Sequence, residues 1–145
     1  MDAVPVAQAI IEIRRTAREL LDPAARRRAE QAAERLAAEL EPTISKTRAA
    51  RLLGVSVTAL DKWVARGRVP VGRKSGLKKT EIDTATLLEL AEDVAELREQ
   101  GRRLGLISEA LRRRAERRRS TACILETAAL IEAVSAIAAA PRNQA

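Results

Sequence analysis

The chain has no histidine, tyrosine or phenylalanine, and it has a single tryptophan, Trp63, and a single cysteine, Cys123. Histidine is the commonest general base and a preferred metal ligand, so its absence argues against most hydrolytic and metal-dependent catalysis. The absence of tyrosine excludes a recombinase that uses a tyrosine nucleophile. One cysteine cannot form an intrachain disulfide or a paired-thiol metal site. We therefore expect a cytoplasmic protein without a metal, a cofactor or enzymatic activity.

Aromatic residues make up only 1% of the 145 residues, whereas apolar residues reach 46%. Most of the apolar residues are alanine, leucine, isoleucine and valine. Because alanine and leucine are strong helix formers, this composition predicts a mainly helical fold with closely packed helices. The length suits one compact domain, or a small domain with helical extensions.

The chain carries a net charge of +7, but the charges are segregated along it. Residues 43–83 contain 10 basic and 3 acidic side chains, and residues 102–119 contain 8 basic and 2 acidic ones. The intervening segment 84–101 contains 5 acidic side chains and 1 basic one. Solvated surfaces usually mix the two signs, so at least one basic block is expected to face a polyanion. Nucleic acid is the first candidate.

Residues 1–42 predict a helical hairpin that packs on the remainder of the chain. Apolar residues recur at three- and four-residue spacing up to Leu21, and Asp22-Pro23 is typical of an N-cap followed by the first residue of a helix. The second helix is expected to run to about Leu40, with Ala33 and Leu36 among its inner residues. No chemistry is predicted for this hairpin.

Residues 44–66 predict two short helices joined by a tight turn. Ser45 is suited to cap a helix that ends at Leu53, and Gly54 suits the left-handed position after it. Ser56 is suited to cap a second helix over Val57–Arg66. Two short helices joined by a turn that contains glycine are typical of a helix-turn-helix.

The second of these helices has two chemically different sides. Leu60, Trp63 and Val64 fall on one side, whereas Thr58, Asp61 and Lys62 fall on the other. A short polar side of this kind suits a helix that contacts base edges in the major groove of DNA.

A small basic hairpin is predicted after the second helix. Residues 68–71 favour a strand, residues 72–76 a turn, and residues 77–82 a returning strand, with Asp83 capping a helix to about Gln100. Four cations surround the predicted tip: Arg73, Lys74, Lys78 and Lys79. Such a wing holds DNA phosphates or enters the minor groove.

The segment RAARLLGVSVTALDKWVARGRVPVGRK, followed by KKTEIDTATLLEL, resembles the excisionase-type winged helix-turn-helix of the broad MerR-like group. The resemblance covers residues 44–97. It depends on the joint spacing of Gly54, Ser56, Leu60, Trp63, Gly67 and Pro70.

The resemblance implies base contacts by Thr58, Asp61 and Lys62. It also implies contacts with the DNA backbone or a role in the wing for Ser45, Lys46, Arg66, Arg68, Arg73, Lys74, Lys78 and Lys79. Asp61 departs from the pattern, because such families often carry a basic or neutral residue there. An acid at this position must accept a hydrogen bond from cytosine or pair with Lys62, Arg66 or another neighbour.

A long helix, capped by Ser108 and reaching about Ala140, is predicted after a glycine-containing break at 101–105. Its arginines at 112–119 either pair with the acids of the preceding helix or make a second phosphate contact. Beyond Thr121 the helix is apolar on several sides, so it must be enclosed. Six residues are expected to contact a second copy or a partner: Ile124, Leu125, Leu130, Ile131, Val134 and Ile137.

Two further expectations concern this last helix. Glu126 and Glu132 interrupt its apolar stretch, and because each acid near a bilayer centre costs about 2.5–3.5 kcal/mol, we expect no membrane contact. MerR-like proteins dimerise through a C-terminal helix, so the resemblance implies a homodimer.

We thus expect a mainly α protein with three parts. These are an N-terminal helical hairpin (1–42), a winged helix-turn-helix with a short two-stranded β wing (43–100) and a C-terminal helix for dimerisation or partner binding (101–145). The expected function is sequence-specific binding of double-stranded DNA by a dimeric transcriptional regulator that represses its own promoter. The alternatives are an antitoxin whose partner is a toxin, an excisionase-like accessory factor of recombination, and a helical scaffold.

Overall fold

The structure is a computed structural model, and it describes residues 2–73 and 80–139, apart from the side chain of Arg73. Within these ranges six α-helices and one three-stranded antiparallel sheet form a mainly helical fold, which confirms the prediction from composition.

The N-terminal helices are α1 (Ala3–Glu19) and α2 (Pro23–Ala38), and they pack against each other. The Asp22 carboxylate accepts hydrogen bonds from the backbone N–H groups of Ala24 and Ala25, as expected of an N-cap. Two residues that were predicted to face the core are exposed instead. Leu21 is 95% exposed because it lies in the connection between the helices, and Leu36 is exposed on α2.

Three short elements follow: β1 (Thr43–Ser45), α3 (Lys46–Leu53) and α4 (Val57–Ala65). The hydroxyl of Ser56 accepts a hydrogen bond from the N–H of Ala59 at 3.1 Å, and Ser45 caps α3 in the same way. Gly54 ends α3 with φ 65° and ψ 37°, the left-handed conformation that glycine adopts without strain. Both predicted helices are confirmed, although α4 ends one residue early, with Arg66 as its C-cap.

The sheet contains β1, β2 (Val71–Arg73) and β3 (Thr80–Asp83) in the order β1-β3-β2. Ile82 of β3 pairs with Ile44 on one side and with Val71 on the other. The predicted wing had two strands, so the third strand, β1, is a correction. Its central residue, Ile44, is buried beside Ile82, and this burial anchors the segment that leads into α3.

Two helices complete the chain: α5 (Thr84–Glu99) and α6 (Leu106–Ala139). Asp83 caps α5 as predicted, accepting hydrogen bonds from the N–H and the hydroxyl of Thr86. Helix α6 begins two residues before Ser108, which corrects the predicted cap. Gly105, with φ 65°, turns the chain so that Ile107 in the first turn of α6 is buried against the core.

One apolar core joins α1, α2, α3, α4, α5, the sheet and the first turns of α6. Its largest fully buried side chains include Ile10, Leu53, Leu60, Ile82 and Leu87. Helix α3 packs on α1, α5 and β3, and α4 packs on α3. Helix α4 therefore lies at the periphery, with one side left to solvent.

Helix α6 extends well beyond the core. Every residue from Ala115 to Ala139 is exposed. By length and composition, α6 is the one described helix that could cross a membrane, and none of its apolar window is buried.

Candidate nucleic-acid interface

The outer side of α4 is built by helical spacing. Thr58, Lys62 and Ala65 are separated by four and three residues, which places them on one side of the helix, and all three are exposed. The opposite side of α4 packs on the core through Leu60, which is fully buried. The structure thus brings two of the three predicted base-contacting residues together on an open helical surface.

Asp61, the third predicted base-contacting residue, is paired within the protein. Its carboxylate lies 2.6 Å from the ammonium of Lys46, the first residue of α3. The sequence interpretation allowed Lys62, Arg66 or another neighbour as its partner, and the partner is Lys46. This ion pair neutralises the acid and leaves Lys62 exposed without an acidic partner among the described residues.

Trp63 lies at the edge of the core. It is half-buried and packs against the core residues. The guanidinium of Arg66 lies over the indole, 5.4 Å from the ring centroid, in a cation–π arrangement. Arg66 is consequently held beside α4 with its charge intact.

The first basic block keeps most of its charge free. Five cations between β1 and β2 are exposed and have no ion pair among the described residues: Arg48, Arg51, Lys62, Arg66 and Arg68. Arg48 and Arg51 were not assigned a role from the sequence, although the charge count of the block included them. Of the described cations in this block, only Lys46 is paired with an acid.

The second basic block is partly neutralised, and α5 supplies the acids for three of its eight cations. Arg114 is 8% exposed; its Nε lies 2.8 Å from Glu89, and it also donates to the hydroxyl of Thr86. Arg117 makes two hydrogen bonds with the buried carboxylate of Asp93, at 2.6 and 3.0 Å. This contact raises the pKa of Arg117.

The remaining arginines of this block divide into two groups. Arg113 lies 3.5 Å from Glu96 of α5, and Arg112 pairs with Glu109 and Glu116 on α6 itself. The hydrogen bond from Arg112 lowers the pKa of Glu109, and these two acids raise the pKa of Arg112. Arg118 and Arg119 are exposed and have no ion pair among the described residues. Of the two interpretations left open, pairing with α5 therefore applies to Arg113, Arg114 and Arg117.

Three predicted wing cations, Lys74, Lys78 and Lys79, lie outside the described residues. Arg73 is placed by its backbone at the end of β2, paired with Thr80. Ser45 lies at the N-terminus of α3, where its hydroxyl accepts a hydrogen bond from the backbone N–H of Arg48. Within the described ranges no cluster of three His, Cys, Asp or Glu side chains is arranged to hold a metal ion.

The chain matches no family model, and neither a curated protein nor a solved structure matches it.

Proposed function

We propose that this chain is a sequence-specific double-stranded DNA-binding protein, acting in the cytoplasm as a dimeric transcriptional regulator and not as an enzyme. The observation that carries the proposal is the contrast between the two basic blocks. Five of the six cations whose side chains are described in residues 43–83 are exposed and have no ion pair among the described residues, whereas five of the eight cations in residues 102–119 pair with acids of α5 or α6. Free positive charge beside an open helical surface suits a polyanion with a groove.

The arrangement of α3, α4, β2 and β3 supports a winged helix-turn-helix. In this proposal α4 is the recognition helix, with Thr58 and Lys62 directed at base edges. Arg66 and Arg68, together with the β2–β3 wing, contact the backbone. The ion pair with Lys46 removes the repulsion that a free Asp61 would exert on phosphate.

The exposed half of α6 supports dimerisation. Successive residues on a helix are rotated by about 100°. Five of its large apolar residues therefore fall on one side: Ile124, Leu130, Ile131, Val134 and Ile137. Ile124, Thr127, Ile131 and Val134 alternate spacings of three and four, the pattern of a two-helix seam. A two-fold pair would present two α4 helices to palindromic half-sites.

Leu125 lies on the opposite side of α6, in line with Glu132, so it is not part of this seam. Glu132 therefore also lies away from the seam, whereas Glu126 lies at the edge of the apolar side beside Ile137; both positions leave the carboxylate solvated in a helix pair. In a bilayer both acids would be buried, at a cost of about 5–7 kcal/mol by the insertion scale. The position of these two acids supports a helix pair over a membrane span.

The test of the proposal is a salt titration of binding to fluorescent duplex DNA. We expect binding to weaken steeply with salt, with a log–log slope that falls by about 1 in Arg68→Ala, because Arg68 is assigned to the DNA backbone. The matched control is Arg27→Ala, an exposed arginine of α2 that has no ion pair among the described residues and should leave the slope unchanged. A flat salt dependence in the wild type would exclude the proposed function.

An antitoxin is the second candidate, and the exposed apolar side of α6 is the observation that favours it. In that case α6 would cover a toxin instead of a second copy of the chain. Co-expression with the product of the neighbouring gene separates the two: a stable heteromeric complex that restores growth supports the antitoxin. A homodimer with no such complex supports the regulator.

A further inference from the structure

A cleft of about 570 Å³ lies between the turn after α3, helix α4 and the segment that joins α5 to α6. Its walls combine apolar and cationic side chains, and no acidic residue lines it among the described residues. The apolar and cationic surface of the cleft is formed mainly by six lining residues: Trp63, Arg98, Arg102, Arg103, Leu104 and Ile107. A volume of this size is typical of small-molecule sites.

The positive charge of this cleft is poorly compensated. Arg98 donates hydrogen bonds to the carbonyl oxygens of Leu53 and Gly54, at 2.8 and 3.1 Å, and these partners are neutral. Arg102 lies 3.6 Å from Glu109 and its side chain is 52% exposed. Arg103 is exposed and has no ion pair among the described residues. Three guanidinium groups thus line one cleft, and a single carboxylate among the described residues, that of Glu109, lies within ion-pair distance of one of them.

The apolar part of the cleft is also uncovered. Leu104 is 85% exposed, and the indole of Trp63 is half-buried. A phosphate ion alone would leave the apolar surface of Leu104 and Trp63 in contact with water, whereas a molecule with a flat apolar ring would cover it. Guanidinium groups bind carboxylate, sulfonate and phosphate well, and they stack on aromatic rings.

We propose that this cleft binds a small aromatic anion of nucleotide size, with the ring against Trp63 and Leu104 and the anionic group on Arg102 and Arg103. Trp63 belongs to α4, so occupancy of the cleft is coupled to the position of that helix. This coupling, unlike the binding itself, rests on the proposed function, and by linkage DNA and ligand then change each other's affinity equally.

The sole tryptophan makes the cleft directly observable, because selective tryptophan excitation reports on Trp63 alone. The experiment titrates the full chain, without DNA, with anilinonaphthalene sulfonate, an aromatic monoanion that accepts energy from tryptophan. AMP and inorganic phosphate then serve as competitors. Since DNA is absent, the result is independent of whether the proposed function holds.

We expect saturable energy transfer from Trp63, and displacement of the dye by AMP at a lower concentration than by phosphate. The double variant Arg102→Ala/Arg103→Ala should lose roughly tenfold or more in dye affinity, since hydrogen bonds to charged groups are the stronger ones. The matched control Arg118→Ala/Arg119→Ala removes two exposed arginines outside the cleft and should bind as the wild type does.

Three results would overturn the proposal. The first is dye binding without energy transfer from Trp63, which would place the dye elsewhere, for example on α6. The second is an equal loss of affinity in both double variants, which indicates an effect of net charge. The third is equal displacement by phosphate and AMP, which indicates a simple phosphate contact of the kind that a DNA backbone would make.

Discussion

The ammonium of Lys46 lies 2.6 Å from the carboxylate of Asp61, so an ion pair joins the first turn of α3 to the edge of the exposed side of α4. Both side chains are partly exposed, and an ion pair of this kind stabilises a protein by about 0.2–1 kcal/mol. Its larger consequence is electrostatic, because it neutralises the acid nearest to Thr58 and Lys62.

Asp61→Asn should release Lys46 and remove one negative charge beside α4. We expect binding to DNA of random sequence to tighten several-fold at low salt, an effect that salt should suppress. Fluorescence anisotropy measures this. Glu34→Gln removes an equal charge from α2 and is the matched control; an equal gain in both variants would mean that net charge, and not the position of Asp61, is responsible.

Gly54 and Gly67 form a natural pair for a stability test. Both adopt a positive φ, 65° and 67°, but a Cβ at Gly54 would collide with the guanidinium of Arg98, whereas a Cβ at Gly67 would meet nothing within 4 Å. Alanine at either position incurs a backbone cost of about 1–2 kcal/mol. We expect Gly54→Ala to lower the free energy of unfolding more than Gly67→Ala in urea denaturation.

The difference between these two glycine variants isolates the contact with Arg98. In the background Arg98→Ala, which removes the guanidinium, the two substitutions should become similar in cost. If Gly54→Ala were no more destabilising than Gly67→Ala in the wild type, the Arg98 side chain would move aside without cost, and its hydrogen bonds to the carbonyl groups of Leu53 and Gly54 would add little to stability.

The helix pair proposed for α6 predicts a sharp difference between its two sides. Ile131 is 62% exposed on the seam side, and Ala129 is exposed on the other side. Ile131→Glu should convert the dimer to a monomer in sedimentation equilibrium, because it places a charge in the seam of each helix. Ala129→Glu adds the same charge and should leave the dimer intact. A wild type that sediments as a monomer would remove the pair altogether.

Local signals were sufficient to predict most elements of the fold. Asp22-Pro23, Ser45, Gly54, Ser56 and Asp83 mark helix ends through hydrogen bonds within a few residues, and the structure places each where the sequence indicated. Strand β1 was missed because three residues carry no periodicity. It forms only because β3, far along the chain, supplies its hydrogen bonds.

The site was less predictable, since it depends on tertiary pairing. The sequence contains two basic blocks of similar strength, and nothing local distinguishes them. Packing of α6 on α5 brings arginines of α6 next to acids of α5, as in the pair of Arg117 with Asp93. The exposed cations around α4 lie outside this contact and keep their charge unpaired among the described residues. The partner of Asp61 was likewise missed, because Lys46 approaches it only after α3 and α4 fold against each other.

Selection of bound sequences from a randomised duplex pool, with wild type and Lys62→Ala compared side by side, tests whether α4 contacts base edges. The wild type should enrich one motif, and Lys62→Ala should relax or change the preference at one position of that motif while the remaining positions persist. Arg27→Ala should enrich the wild-type motif unchanged. Identical motifs from wild type and Lys62→Ala, or no enriched motif at all, would contradict the assignment of α4 as the recognition helix.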